Sequence, residues 1–315
     1  MRIATLNVQN LRLLQDDGGG RLRGAWDSDD PEDPGLDPVD RRLTAALIGE
    51  VGADVVALQE VFDRATLEHF HDRFLLPAGM APYPERICLA GNDGRGLDVA
   101  LLSRRRVDRV QSHADLRPGD LGIAPPEGTD PGLPVFRRDC LMAVIGRLTL
   151  FVCHFKSPYP DAAQARAVRR AEAWATRRLV ERYFDRPAEG LWLILGDLNE
   201  PEERAGSRAG SRAGEGAARA IAPLEGDFSV DLMARRPAGD RWTYHDPHSG
   251  RYHCPDKLLA SPALAALYPG ARPEVIRKGL GRESARFAGP RLAGVGQHRP
   301  HASDHAAVAV DFPGL

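Results

Sequence analysis

A set of polar side chains in this sequence shares one kind of position. Asn7, Glu60, His154, Asp197, Asn199, Asp256 and the pair Asp304-His305 each follow or begin an apolar run. Side chains at strand ends are held by a rigid sheet, and catalytic groups commonly sit there. Taken singly, each has an ordinary explanation: an Asn after a strand turns the chain, a Glu after DVVALQ caps a helix, and a half-buried His finds a hydrogen bond. Together they have the composition of a site for phosphodiester hydrolysis. That reaction needs a hard cation on a phosphate oxygen, a deprotonated water in line, and charge stabilisation opposite. Mg²⁺ and Mn²⁺ prefer oxygen ligands, so Glu60, Asp197 and Asp304 suit them, and Asn7 or Asn199 can add an amide oxygen. His305 suits the task of taking or positioning the water's proton, provided a carboxylate fixes its tautomer, and Asp256 is the candidate carboxylate. His154 is left to donate to a non-bridging oxygen.

The elements that must position these groups follow from hydrophobic spacing. Residues 2–7 alternate and stop at Asn7, as a strand does, and DVVAL (54–58) is a short apolar run suited to a buried strand ending at Gln59-Glu60. Leu43, Ala46, Leu47 and Val51 predict a helix over 39–51, and Leu67, Phe70, Phe74 and Leu75 a second one. Strands are predicted at 86–90, 98–103 and 191–195, and a hairpin at 140–145 and 149–154 around Gly146-Arg147. A long helix opens at Pro160-Asp161 and runs to about Phe184, with later strands near 242–245, 256–260 and 306–311. Residues 15–38, rich in Asp, Gly and Pro, predict a solvated loop, and 203–219 a low-complexity loop. With strands at both ends of the chain, the mixture predicts one α/β domain over 1–315 carrying two flexible insertions, 15–38 and 203–219.

The 315 residues are 43% hydrophobic and 27% charged, enough for a sizeable core, and the net charge of −2 advertises no global nucleic-acid-binding field. Cys88, Cys140, Cys153 and Cys254 form no CxxC or CxxH pattern, so no zinc site is implied and a disulfide is unsupported. Cys140 and Cys153 lie in apolar runs, as buried free thiols do. The N-terminus MRIATLNVQNL lacks the features of a secretory signal, and no apolar stretch approaches a membrane span; the expectation is a cytoplasmic protein with no membrane association.

The segments TLNVQNL, ADVVALQEV, RGLDVALLSR, VCHFKSP, ILGDLNEP, PDKLLASPAL and ASDHAAVAVDF resemble, in order, the motifs of the endonuclease/exonuclease/phosphatase superfamily. They span residues 2–312. The resemblance implies a four-layered α/β sandwich in which two central, mostly antiparallel sheets are flanked by helices, with the site at one edge. It implies Glu60 as principal metal ligand with Asn7 and Asp304 nearby, and Mg²⁺ or Mn²⁺ as cofactor. Asp197 and Asn199 match the GDxN pair that activates water and holds the phosphate. His154 matches a histidine of the deoxyribonuclease and sphingomyelinase branches. His305 matches the terminal SDH histidine, normally paired with an earlier aspartate. Asp256 stands in that place although Pro255-Asp256-Lys257 departs from the usual pattern, and His253 nearby is a rival for a substrate contact.

HFKSP is closest to the pattern of bacterial nucleases, which makes Lys156 a candidate phosphate contact as a point charge. Asn10 and Asp98 are further candidates beside the substrate phosphate, with Asp98 also in reach of orienting His154. Asn92 and Arg95 resemble the same branch. Arginines at 104–106, 137–138 and 166, 169 and 170 are candidates for tracking a nucleic-acid backbone, although most such runs are solvated faces. The expected activity is hydrolysis of DNA phosphodiesters. The alternatives are a phosphatase or phosphodiesterase acting on a small phosphorylated metabolite or lipid head group, and, more remotely, a non-catalytic binding module. No protein partner is implied.

Overall fold

The computed structural model describes residues 1–15, 19–26, 33–200 and 219–315. The strands among them are β1 (Arg2–Leu11), β2 (Leu13–Leu14), β3 (Arg21–Leu22), β4 (Val55–Val61), β5 (Glu85–Cys88), β6 (Asp98–Ser103), β7 (Arg109–Gln111) and β8 (Cys140–Ile145). They continue with β9 (Leu148–His154), β10 (Trp192–Asp197), β11 (Val230–Asp231), β12 (Tyr244–Asp246), β13 (Arg251–His253), β14 (Asp256–Ala260), β15 (Glu274–Ile276) and β16 (Ala307–Asp311). The α-helices are α1 (Asp37–Val51), α2 (Arg64–Phe70), α3 (Ala162–Tyr183) and α4 (Pro262–Leu267).

Two sheets are built on one plan. The first has the order β15-β16-β1-β4-β6-β5 and the second β11-β14-β10-β9-β8-β7. In each, the central pair is parallel (β1 with β4, β9 with β10) and every other pairing is antiparallel. Alternation along the strands gives each sheet two apolar faces. Ile3, Val55, Val99 and Val308 of the first sheet meet Leu150, Val152, Leu193, Leu195 and Leu258 of the second in one core. The outer face of the first sheet packs on α1 and α2, and that of the second on α3. The result is helix, sheet, sheet, helix: the layered sandwich expected from sequence.

Local chemistry explains the element ends. Helix α1 begins at Asp37, two residues earlier than its apolar spacing indicates, because Asp37 and Asp40 sit in the first turn, where the helix dipole favours acid. It ends at Gly52 in the left-handed conformation. The Asp161 carboxylate caps α3, accepting from the N–H groups of Ala163 and Gln164. The second predicted helix is divided: α2 passes at His71–Leu75 into a turn of π-helix. Strands β2 and β3, and the hairpin of β12 with β13, were not legible in the sequence beyond the run near Trp242.

The segment 15–38, expected as a solvated loop, is exposed at 33–35 but packed over 22–26. Leu22, Ala25 and Trp26 are buried, and Arg41 donates to the carbonyls of Arg23 and Gly24. The proposed insertion at 203–219 lies, apart from Arg219, outside the described residues. All four cysteines are free and buried, with Cys140 and Cys153 as register partners. No helix among the described residues is long and apolar enough to cross a membrane.

One glycine is forced by close approach. Gly196 in β10 has φ +135°, and a Cβ there would lie 1.9 Å from the Cys153 carbonyl oxygen of β9. Gly196→Ala is therefore expected to destabilise the protein at or beyond the upper end of the ~0.5–3 kcal/mol of ordinary substitutions. Urea unfolding measures this, and a loss below about 0.5 kcal/mol would contradict the tight β9–β10 contact.

Candidate active site

Strand periodicity delivers the site. On β1 the inward-facing series is Ile3, Thr5, Asn7; on β9 it is Leu150, Val152, His154; on β10, Leu193, Leu195, Asp197. On β14 the series runs back from Ala260 through Leu258 to Asp256. Apolar members fill the space between the sheets, and the last position of each series is polar. Register does the rest: Asp197 is opposite both His154 and Asp256, and Asn7 is opposite Gln59.

Glu60 needs a different device. Simple alternation from Leu58 would turn it to the helix side of its sheet. A bulge between Gln59 and Val61, with Glu60 at φ +67°, re-aims it. Among the described residues the positive-φ positions other than glycine are Gln9, Asn10, Glu60 and Asn199, all in this neighbourhood. Strained backbone of this kind gathers at functional sites.

The carboxylates are held by amides and imidazoles. Asn7 Nδ2 donates to Glu60 Oε1 and to Asp197 Oδ2, each at 3.2 Å, while its Oδ1 accepts from the Gln9 N–H at 3.0 Å. The Asn10 N–H donates to Glu60 Oε2 at 2.9 Å, and the Asn199 N–H to Asp197 Oδ1 at 2.8 Å. Asn199 Nδ2 donates to the Phe155 carbonyl at 3.0 Å, which leaves its second N–H directed elsewhere. His154 Nε2 stands 3.8 Å from Asp197 Oδ2 and 4.0 Å from Glu60 Oε1. His305 Nδ1 donates to Asp256 Oδ2 at 2.9 Å and its Nε2 stands 3.8 Å from Asp197 Oδ2. Thr243 Oγ1 donates to the same Asp256 oxygen, and the Tyr244 ring packs against His305. Asp304 is beside them, its N–H bonded to Gln9 Oε1 at 3.2 Å.

Electrostatics separates the two histidines. Burial lowers the proton affinity of both. For His305 the carboxylates of Asp256, Asp304 and Asp197 outweigh burial and hold its pKa well above the ordinary value. For His154, Arg138 and His305 add to burial and hold it well below. Burial pushes Asp197 up to about 6, with His305 opposing the rise.

The donor set fits a hard cation. Glu60, Asp304 and Asn7 are oxygen-bearing groups. Among the described residues no three His, Cys, Asp or Glu side chains form a ready-made cage. Mg²⁺ is commonly held by one or two carboxylates with the remainder left to water and substrate oxygens. As placed, Asn7 turns its NH₂ to the carboxylates, so ligation through its oxygen requires the amide to turn over.

Three expectations need correction. Lys156 is not directed at this cluster: its ammonium donates to Ser157 O at 3.1 Å and to the Tyr159 carbonyl, clamping its own turn. Asp98 accepts from the Gly91 N–H at 3.0 Å, and the group beside His154 is the Leu97 backbone rather than the Asp98 carboxylate. Asp98 lies on the outer face of its strand, where burial pushes its pKa up to about 6. The arginine runs are partly structural: Arg138 and Arg169 are buried, and Arg104 donates to the Ala53 carbonyl. Asn10 does adjoin the site, through its backbone bond to Glu60, and its side chain donates to Trp26 O. His253 pairs with Tyr244 across the hairpin.

Sequence reasoning missed the supports. Gln9 Oε1 accepts from Asp304 N and His301 Nε2, and Ser303 Oγ donates to the Asn7 carbonyl while accepting from the His305 N–H. Apart from the local His305–Ser303 bond, these partners lie some 290 residues apart in the chain, so the sequence carries no local signal for them.

The endonuclease/exonuclease/phosphatase family model matches residues 4–305. The chain belongs to this family. No curated protein sequence matches it significantly. Among solved structures it is similar to truncated TDP2 from Caenorhabditis elegans (16% identity, 98% of this chain and 95% of that one, TM-score 0.53). It is also similar to the NExo 3′-5′ exonuclease from Neisseria meningitidis (17%, 99% and 99%, TM-score 0.52). A third likeness is a family protein from Leptotrichia buccalis (15%, 99% and 98%, TM-score 0.55). At these identities the likeness shows the shared fold.

The wall behind the site rests on Arg41, fully buried and donating to Val8 O, Gln9 O, Gly24 O and Arg23 O. Burial lowers its pKa to about 9, yet it stays charged between Asp37 and Asp40. Arg41→Ala strands those carbonyls and is expected to cost about 3–5 kcal/mol. Denaturant titration checks this; a cost under about 1 kcal/mol would contradict it.

Proposed function

We propose that this chain is a divalent-metal-dependent phosphodiesterase that hydrolyses DNA phosphodiester bonds by in-line attack of water. The observation that carries the reading is Asp197, approached by the amide of Asn7 and the imidazoles of His154 and His305, with Asp256 on the far nitrogen of His305. Asp197 is placed to orient a water and accept its proton, and the Asn199 N–H fixes its other oxygen. His305, held charged by Asp256, is suited to donate Nε2–H to a phosphate oxygen rather than to act as the base. Neutral His154 carries a single N–H, which serves as a second donor when it sits on Nε2. Asn199 retains an N–H for a non-bridging oxygen. A bound Mg²⁺ or Mn²⁺ supplies Lewis acidity at a phosphate oxygen and a lowered water pKa. Glu60 would hold it, with Asn7 and Asp304 beside. DNA is favoured because similar structures include a Neisseria 3′ phosphatase, NExo, bound to a product DNA hairpin.

The direct test is Mg²⁺- or Mn²⁺-dependent hydrolysis of linear DNA beside bis(p-nitrophenyl) phosphate and a panel of phosphomonoesters. Cleavage of DNA and of the small diester, abolished by chelator, is expected. Phosphate release from small monoesters with neither diester cleaved would transfer the chain to the small-molecule reading. Glu60→Gln should lower Mn²⁺ affinity by calorimetry and activity together. Unchanged affinity with full activity would remove Glu60 from the metal. His305→Ala should lower the rate by about 10²–10⁴ while Mn²⁺ still binds. A loss below about tenfold would leave His305 a structural residue.

A further inference from the structure

Helix α3 turns two charged side chains inward, toward the strand ends that carry the second sheet's share of the cluster. Glu172 and Arg169 are both buried, and their three-residue spacing puts them on one face of the helix. Glu172 Oε2 accepts from the Lys156 N–H at 2.8 Å, and its Oε1 from the Arg137 N–H at 3.0 Å. Arg169 Nη1 donates to the Lys156 carbonyl at 2.9 Å, and its Nε stands 3.6 Å from Glu200 Oε2. Both backbone polar groups of Lys156 are therefore held by α3. Lys156 lies two residues past His154, where β9 has ended, and Glu200 directly follows Asn199.

The peptide joining Phe155 to Lys156 transmits this hold. It is a rigid plane, with its C=O and N–H directed to opposite sides. Glu172 takes the N–H, so the Phe155 carbonyl points away from that carboxylate, and there it accepts from Asn199 Nδ2 at 3.0 Å and from Arg138 Nη1 at 3.3 Å. The Phe155 N–H donates to the Asp197 carbonyl at 2.9 Å, which ties the same segment to β10. Asn199 itself has φ +51°, a conformation that needs support from its surroundings. A buried carboxylate gains little stability over an apolar side chain of similar volume. What charge-assisted bonds to a single residue do supply is direction.

Resting on the proposed phosphodiesterase activity, we infer that Glu172 and Arg169 are positioning residues: through the Phe155–Lys156 peptide they aim the amide of Asn199 at the substrate phosphate. Glu60, Asn7 and Asp304 stand on the side of the first sheet, so Mn²⁺ binding is a separate readout. The test follows kcat for bis(p-nitrophenyl) phosphate and Mn²⁺ affinity in Glu172→Gln, alone and combined with Asn199→Ala. The amide offers one acceptor oxygen where the carboxylate offers two, so one of the two N–H groups loses its partner. Alone, the substitution should lower kcat by about ten- to a hundredfold, the scale of a misplacement of about 1 Å, with Mn²⁺ affinity unchanged. Beside Asn199→Ala it should cost less than about threefold, because residues that act through one another do not add. A kcat within about threefold of the unaltered protein, an equal loss with and without Asn199, or a parallel loss of Mn²⁺ affinity would overturn the inference and leave the phosphodiesterase reading intact. If thermal unfolding shows that Glu172→Gln does not fold, Arg169→Gln, which removes the charge facing Glu200, is put through the same comparison with the same expectation. Failure of both variants to fold would make the pair structural and overturn the inference. Absence of diester hydrolysis by the unaltered protein would overturn the activity on which it rests.

Discussion

One amide nitrogen stands between two carboxylates that belong to different sheets. Asn7 Nδ2 donates to Glu60 of the first sheet and to Asp197 of the second. Without that donor, two anions would face each other in a place largely closed to water, where like charges repel strongly. The same contact fixes the approach of the sheets at the edge where the chemistry is proposed. The rest of the site is arranged about it: Gln9 N–H holds the Asn7 oxygen, and Ser303 holds its carbonyl.

The layered fold makes this constraint affordable. Because both sheets carry a central parallel pair, the ends of β1 and β4 and the ends of β9 and β10 come together at one edge. Apolar residues fill the inner faces up to those ends, so the polar terminal residues share one environment. Burial there raises the proton affinity of Asp197 and suppresses that of His154, while His305 is kept charged by carboxylates. One environment thus gives three groups distinct protonation behaviour, which follows from which neighbours each meets.

Much of this was legible in the sequence, and the reason is local. Asn7, His154, Asp197 and Asp256 each terminate or begin an apolar strand pattern, and the pattern predicts both the strand and its end. Asp256 departs from the usual motif, yet it meets His305 because its register with Asp197 is set by β14 as a whole. What stayed hidden depends on partners distant in sequence. Arg41 reads as an ordinary helix-surface arginine until the chain closes over it. Lys156 illustrates the opposite error: its type and neighbours fit a phosphate contact, but carbonyls of its own turn compete for the ammonium. Asp98 failed for a geometric reason, since it falls on the outer face of its strand. The bulge at Glu60 could not be read from alternation, which points that side chain the wrong way.

The central claim is that Asp197, at the junction of the sheets, is where the reaction is organised. The most direct measurement is metal-dependent hydrolysis of linear DNA by Asp197→Asn, an isosteric change that removes the charge, beside its thermal unfolding. The account predicts a rate lower by about 10²–10⁴ with the protein still folded, although the amide keeps only one of the two acceptor oxygens that Asn7 Nδ2 and the Asn199 N–H meet. Activity within about tenfold of the unaltered protein would contradict it and move the chemistry away from this junction.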